Sequence, residues 1–511
     1  MSDKNGNAAL FFVERHRQTR ADKPAFVEGI EGGRSLSYGE LAEQSDRMAD
    51  LLARHDIRRE ERVAMLVLDV IEFPIIFWGS IKAGIVPVAL NTLLATDVYA
   101  AILNDCRARA LFVSEALLPV VEPALAGNPW VEKVFVLGGD AGAHLAFSDE
   151  LAASQPRPLV EASADETAFW LYSSGSTGVP KGVRHVHSAL QATADTYGAR
   201  VLGIEEGDTI FSAAKLFFAY GLGNGMTFPM SVGATAVLYP ARPTPEAMFE
   251  VIARTRPTIF CGVPTLYGAM CAAMGDDPFA GAEGIRRSIS AGEALPAEIG
   301  RHWRKVVGSD ILDGVGSTEM LHIFLSNAPG DVEYGTSGIA VPGYQLRLVN
   351  EAGDEVAAGE IGELLVNGPS AADGYWNKRE KSRATFEGVW TRTGDKYEQR
   401  EDGRLIYCGR TDDMFKVSGI WVSPFEVEQA LIAHPSVLEA AVVAHPDAEG
   451  LDKPKAFVVL KDGARAEGLA DALKDLVKEK IGKWKYPRWV EVVDELPKTA
   501  TGKIQRFKLR G

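Results

Sequence analysis

The sequence predicts an α/β protein: a large N-terminal domain of two doubly wound α/β subdomains plus a small β-barrel subdomain, followed by an α+β C-terminal domain. Three observations lead there. From 36 to about 240, short apolar runs alternate with longer helical patterns, and a second alternating set follows. Beyond about 335 the texture changes to short strands between Gly and Pro turns. Past Arg410 it changes again, to a compact mixed unit.

The strand-like runs of the first set are VAMLVL (63–68), VPVAL (86–90), ALFVS (110–114) and VFVLG (134–138). Continuous apolar runs of this length separated by helical patterns suit βαβ units and a parallel sheet covered on both faces. TIFCGV (258–263), SISAG (288–292) and DILDGVG (310–316) make the second set. YQLRLVN, GELLVNG, GVWTRTGD and GRLIYCG then predict a small antiparallel barrel or sheet over about 335–410. In the last hundred residues, EVEQALIAH reads as a helix, VLEAAVV and KAFVVL as strands, and 468–481 as an amphipathic helix. The expected domains are therefore 1–411 and 412–511.

With 46% hydrophobic and 24% charged residues, the chain has the composition of a soluble enzyme with several cores. A formal net charge of −15 argues against a nucleic-acid partner. The C-terminal cluster of Lys and Arg between 474 and 510 is the exception, and suits either a solubilising face or a small polyanion. Cys106, Cys261, Cys271 and Cys408 are too dispersed for a metal or redox pair and read as reduced packing residues. The N-terminus lacks a secretory pattern, and the most apolar region, 63–90, is interrupted by Asp69, Glu72 and Lys82. A cytoplasmic enzyme without a membrane partner is expected, and a homodimer is compatible with the composition.

YSSGSTGVPKG (172–182) concentrates small hydroxyl residues and glycines around Lys181. Glycines let backbone N–H groups approach an anion, hydroxyls add donors and Lys adds charge, which together suit phosphate. The same residues also make ordinary turns. The stretch is not a Walker A loop, because Pro180 precedes Lys181 and Gly182 follows it. Its place after the strand-like AFWLY favours ligand binding, since open α/β sheets bind ligands beyond strand ends.

YSSGSTGVPKG resembles the phosphate-loop signature of the adenylate-forming superfamily, which includes acyl- and aryl-CoA ligases, firefly luciferase and the adenylation domains of peptide synthetases. Further motifs of that superfamily follow in order: GSTE (316–319), GELLVNGP with GYW (362–376), TGD (393–395), GRTDDMFKVSG (409–419) and PKTATGK (497–503). KLFFAYGLGN (215–224), GSTEMLHIFLSN (316–327) and VSPFEVE (422–428) look most like benzoate-CoA ligases. The resemblance implies ATP, Mg²⁺ and coenzyme A as cofactors, an acyl-AMP intermediate and a C-terminal domain that rotates between half-reactions.

By the same resemblance, Ser173, Ser174, Gly175, Ser176, Thr177, Gly178 and Lys181 hold the β- and γ-phosphates of ATP. Thr318 contacts phosphate and Glu319 binds Mg²⁺, a hard cation suited to carboxylate oxygen. The alternative for Glu319 is a first-turn helix carboxylate. Gly292, Glu293, Ala294, Asp313 and Gly314 match the adenine pocket, and Asp395 and Arg410 match the contacts to ribose or phosphate. Lys503 matches the lysine that reaches the substrate carboxylate and α-phosphate. Asp412 occupies the hinge position, while Lys416, Val417, Ser418 and Gly419 match the pantetheine tunnel.

Phe218, Ala219, Tyr220, Gly221, Gly316, His322 and Ile323 match the acyl pocket, making it short, aromatic-lined and largely uncharged. No Asp stands in FFAYG to pair a substrate ammonium, which disfavours an α-amino acid. His322, three residues past Glu319 on an expected helix face, can face the ring, bond a ring hydroxyl or cap a packed helix. His185 and His187 form a His-x-His without an evident third ligand. Benzoate is the expected substrate, with 4-hydroxybenzoate, aminobenzoate or another substituted benzoate as alternatives. A carrier-protein-loading module and a luciferase-like oxygenase are rivals from other classes.

Overall fold

A computed structural model describes residues 5–174, 180–417, 420–461, 463–464, 466, 468–498 and 504–510, with side chains at all of these except 174, 416, 420 and 421. The chain divides into two compact units, Met1–Gln345 with Val366–Thr391, and Leu346–Leu365 with Arg392–Gly511.

The first unit holds both large sheets. One has eight strands in the order Gly374–Tyr375, Pro180–Val186, Thr167–Ser174, Val86–Ala89, Arg62–Leu66, Ala110–Ser114, Lys133–Leu137 and Leu145–Ala146. Its pairings are parallel except at the edge, where Pro180–Val186 runs antiparallel to both of its neighbours. Strands of VAMLV and ALFVS type are buried along their length, as parallel strands sandwiched by helices must be. Tyr99, Ile102, Leu103 and Trp170 are among the residues that fill one face of this sheet.

The other sheet has nine strands, ordered Ile339–Ala340, Ile323–Ser326, Ile311–Gly316, Arg287–Ala291, Ile259–Gly262, Thr209–Ser212, Thr235–Leu238, Pro24–Glu28 and Ser35–Ser37. Its central pairings are parallel and its two ends antiparallel. Strand Pro24–Glu28 joins it by pairing with Thr235–Leu238, about two hundred residues on. The core on one face gathers Phe260, Tyr267 and the fully buried Trp303, whose indole N–H donates to Ser288 Oγ at 3.0 Å. Truncating a buried indole of this kind costs about 3–5 kcal/mol.

The expected antiparallel region over 335–410 is a five-stranded sheet, most of whose residues belong to the second unit. Beyond it, the second unit contains helix Pro424–Ile432, antiparallel strands Val437–Pro446 and Asp452–Leu460, helix Leu469–Ile481 and strand Trp489–Val492. Leu469, Leu473 and Val477 bury one stripe of the second helix against Val427, Leu431, Val442 and Val458. Arg506 closes this unit with a two-pronged bond to the buried Glu428, at 2.9 and 2.7 Å. Among the described residues, no helix is long and apolar enough to cross a membrane.

Candidate active site

The phosphate-loop candidate lies where the sequence places it, between strands Thr167–Ser174 and Pro180–Val186 at the edge of the eight-stranded sheet. Gly175, Ser176, Thr177 and Gly178 fall outside the described residues, and Ser174 is described only in its main chain. The flanks are described. Antiparallel register sets Ser173 opposite Lys181, and Ser173 Oγ donates to Glu319 Oε1 at 3.4 Å. Tyr375 OH donates to the same oxygen at 2.8 Å, and Lys181 Nζ lies 4.7 Å from the Tyr375 ring centroid. The main chain fixes the arrangement, because Ala372 N–H donates to Glu319 O at 2.8 Å and Tyr375 pairs with Val183. Tyr375 was not singled out in the sequence. Its GYW motif was visible, but nothing local signalled that the phenol would reach Glu319.

Glu319 does not begin a helix. Strand Ile311–Gly316 turns back on Ile323–Ser326 as an antiparallel pair, with Gly316 opposite Ile323, so only six residues connect the strands and a run of turns replaces the expected helix. Ser317 Oγ accepts from Met320 N–H at 3.1 Å, and Thr318 O accepts from Leu321 N–H at 3.2 Å. Leu321 closes the reversal at φ 64°, a left-handed conformation uncommon for a residue with a side chain. The helix-dipole alternative for Glu319 and the helix-cap alternative for His322 therefore fall away. Among the described residues, Oε1 of Glu319 accepts from two neutral hydroxyls.

The reversal carries His322 into an aromatic cluster, with ring centroids 5.2 Å from Tyr197, 5.8 Å from Tyr220 and 4.5 Å from Phe228. A Cβ on Gly223 would lie 2.4 Å from His322 Cδ2, so only glycine permits this approach. His322 Nε2 bonds Tyr220 O at 3.3 Å. A carbonyl only accepts, so Nε2 carries the proton and Nδ1 is the acceptor, with no partner among the described residues. Burial pushes the imidazole down to about 3, against a smaller upward pull from the Tyr220 carbonyl, so His322 is neutral at physiological pH.

Tyr220 lies in the short helix Ala219–Leu222, and its hydroxyl reaches Gly262 O and Ile289 O, each at 3.1 Å. That hydroxyl is turned to the carbonyl that ends strand Ile259–Gly262 and to one in the middle of strand Arg287–Ala291. Its ring remains the contribution to the site. Phe218 caps the same helix, with its N–H donating to Lys215 O at 3.0 Å. Ala219 and Gly221 are buried.

Parallel register places Ser290 beside Asp313 and Ala291 beside Gly314, which brings Gly292, Asp313, Gly314 and Gly316 to one end of the nine-stranded sheet. Gly292 is left-handed at φ 99°, and a Cβ on Gly314 would meet Ile323 Cγ2 at 2.9 Å. Asp313 is buried, and burial pushes its carboxyl up to about 8 while Leu295 N–H, at 3.4 Å, pulls it down. Its Oδ1 has no partner among the described residues. Glu293 and Ala294 follow Gly292 at intermediate exposure.

In the second unit, Asp395 and Arg410 are antiparallel partners, with Arg410 Nη1 2.9 Å from Asp395 Oδ1 and 3.0 Å from Thr393 O. Gly394, at φ 72°, passes so close that a Cβ would lie 2.9 Å from Arg410 Nη2. Asp412 is exposed, and its carbonyl accepts from Arg510 Nη2 at 3.1 Å. Lys416 is described only in its main chain, in strand Phe415–Val417, while Ser418, Gly419 and Lys503 fall outside the described residues.

Comparison with known proteins agrees with this geometry. AMP-binding enzymes match residues 13–376, and the C-terminal domain of AMP-binding enzymes matches 426–503. The chain is 55% identical over 489 residues to a benzoate–CoA ligase of Thauera aromatica, covering 94% of this chain and 92% of the relative. It is 52% identical over 512 residues to a 4-hydroxybenzoate–CoA/benzoate–CoA ligase of Rhodopseudomonas palustris, covering 99% and 94%. A crystal structure of a benzoate CoA ligase from Burkholderia xenovorans superposes with a TM-score of 0.90 at 49% identity, covering 99% of both chains. An anthranilate CoA ligase in complex with anthranoyl-AMP gives 0.92 at 42% identity, covering 99% of this chain and 96% of that one. Motifs, sheet topology and sequence similarity together establish that the chain belongs to the AMP-binding enzymes.

Proposed function

We propose that the protein is an ATP-dependent aryl-CoA ligase that converts benzoate to benzoyl-CoA through benzoyl-AMP. The observation that carries the substrate class is the uncharged aromatic floor formed by Tyr220 and neutral His322, one short turn from Glu319.

In the first half-reaction a benzoate oxygen attacks the α-phosphorus of ATP, and the bond to pyrophosphate breaks. Ser173, Lys181 and the loop between them hold the departing β- and γ-phosphates, and Thr318 adds a donor. Mg²⁺ fits Glu319, a carboxylate whose Oε1 accepts from hydroxyls among the described residues, and when bound it would neutralise phosphate charge. Asp313 and Gly314 line the adenine site. Asp395 accepts from the ribose hydroxyls and Arg410 orients it. Lys503 approaches the carboxylate and α-phosphate. In the second half-reaction the CoA sulfur attacks the acyl carbon, its proton is lost, and AMP leaves. Asp412 is the hinge between the two arrangements, and Lys416 and Gly419 border the pantetheine.

A second reading, in which a ring hydroxyl or amino group is accepted, is favoured by His322 Nδ1, a buried acceptor with no partner among the described residues. Pyrophosphate release measured with benzoate, 4-hydroxybenzoate and 2-aminobenzoate separates the two. The highest kcat/KM for benzoate is expected, and a hydroxylated or aminated substrate exceeding it establishes the second reading.

A further inference from the structure

The acyl-pocket segment rests on a turn that is tied to both large sheets by charged residues which the proposed reaction does not use. Asp69 follows strand Arg62–Leu66 of the eight-stranded sheet and is 4% exposed. Its Oδ1 accepts Leu216 N–H at 3.2 Å. Lys215, the preceding residue, sends its Nζ to the nine-stranded side, donating to Tyr239 O at 2.5 Å and Ala241 O at 2.7 Å. The turn between these anchors is pressed against the pocket floor, because a Cβ on Gly221 would lie 2.0 Å from Lys215 O and 2.6 Å from Ala214 O. Phe218 N–H donates to Lys215 O at 3.0 Å, and Leu222 N–H to Phe218 O at 2.7 Å. A shift of residues 214–216 is thereby passed directly to residues 218–222.

We propose that Asp69 and Lys215 are positioning residues that fix the acyl pocket from opposite sheets, so that losing either one weakens capture of the aromatic acid while leaving ATP capture in place. The inference rests on the assignment of residues 218–221 to the acyl pocket. A buried carboxylate is suited to this task because it accepts a main-chain N–H that no solvent reaches, and removing the acceptor strands that donor. Burial pushes the Asp69 carboxyl up to about 6, with Lys215 pulling it back. An Asn amide oxygen can accept the same N–H, which makes the charge separable from the hydrogen bond.

The test measures KM for benzoate and for ATP in Asp69→Ala, Asp69→Asn, Lys215→Met and, as a reference for the pocket itself, Ala219→Leu. Asp69→Ala and Lys215→Met are expected to raise the benzoate KM about tenfold or more with the ATP KM within about twofold. Asp69→Asn recovers most of that loss. If Asp69→Ala does not accumulate as folded protein, the Lys215→Met values decide alone. Equal increases in both KM values, or no recovery in a folded Asp69→Asn protein, would overturn the proposal. An Ala219→Leu protein with a raised benzoate KM beside unaffected anchor variants refutes the anchors but keeps the pocket. A benzoate KM unmoved in all four refutes both.

Discussion

Replacing Tyr375 by Phe removes one oxygen and leaves the ring under Lys181 in place. The phenol donates to Glu319 Oε1 at 2.8 Å, whereas the only other hydroxyl described on that oxygen, Ser173 Oγ, is at 3.4 Å. Tyr375 therefore supplies the stronger of the two restraints. A hydrogen bond to a charged group contributes about 1.5–3 kcal/mol, and each 1.4 kcal/mol is about tenfold in rate. If Glu319 is needed in position only while phosphate charge is being redistributed, Tyr375→Phe slows adenylation by roughly 10- to 100-fold. The assay is benzoate-dependent pyrophosphate release, set beside CoA-dependent consumption of pre-made benzoyl-AMP. The second rate is expected to stay within about twofold of wild type, because the cation–phosphate contacts are no longer used. A loss below about threefold in adenylation, or an equal loss in both half-reactions, would refute the idea that this hydroxyl sets the position of Glu319.

Lys503→Ala is expected to cut adenylation by about 10² or more, on the scale of losing one transition-state donor, while thioester formation from benzoyl-AMP remains nearly intact; parallel single-turnover assays of the two steps check this. Gly223→Ala places a methyl 2.4 Å from His322 Cδ2 inside a cluster closed by Tyr197 and Phe228. Overpacking there costs about 1–3 kcal/mol, and a raised KM for benzoate with a lowered melting temperature is the expected result. His185 is fully buried against Phe169, with a folded value pushed down to about 3 by burial from 6.5. The unfolded chain takes up this proton as pH falls below 6.5 and the folded chain does not, so stability is lost on acidification: about 2 kcal/mol at pH 5. Denaturant titrations at pH 7.5 and 5 should show His185→Phe narrowing the gap by that amount, and an unchanged gap would mean that the imidazole is already charged in the folded protein.

Much of the fold was legible because its strands are short apolar runs with clear boundaries, and ALFVS coincides with strand Ala110–Ser114 residue for residue. Strand Pro24–Glu28 was not read, because its place in the nine-stranded sheet depends on a partner at 235–238 and no local pattern encodes that pairing. The helix expected after Glu319 failed for a related reason. Residues 317–322 have no breaker of their own, and antiparallel return of the chain to Gly316 overrides their propensity. Motif order singled out Ser173, Lys181, Glu319, Asp395 and Arg410 as candidates. What the phenols of Tyr220 and Tyr375 bond to was invisible, since each partner lies more than forty residues away. The polar state of His322 likewise emerges only from the carbonyl and aromatic rings that enclose it.

Incubating the purified protein with ATP, Mg²⁺ and benzoate, with and without CoA, tests the proposed chemistry most directly. Without CoA, pyrophosphate and benzoyl-AMP should form and then stall near one equivalent per active site. With CoA, AMP and benzoyl-CoA should accumulate in equal amounts over many turnovers. Sustained AMP release that is indifferent to CoA, or turnover without a thioester product, would contradict the assignment.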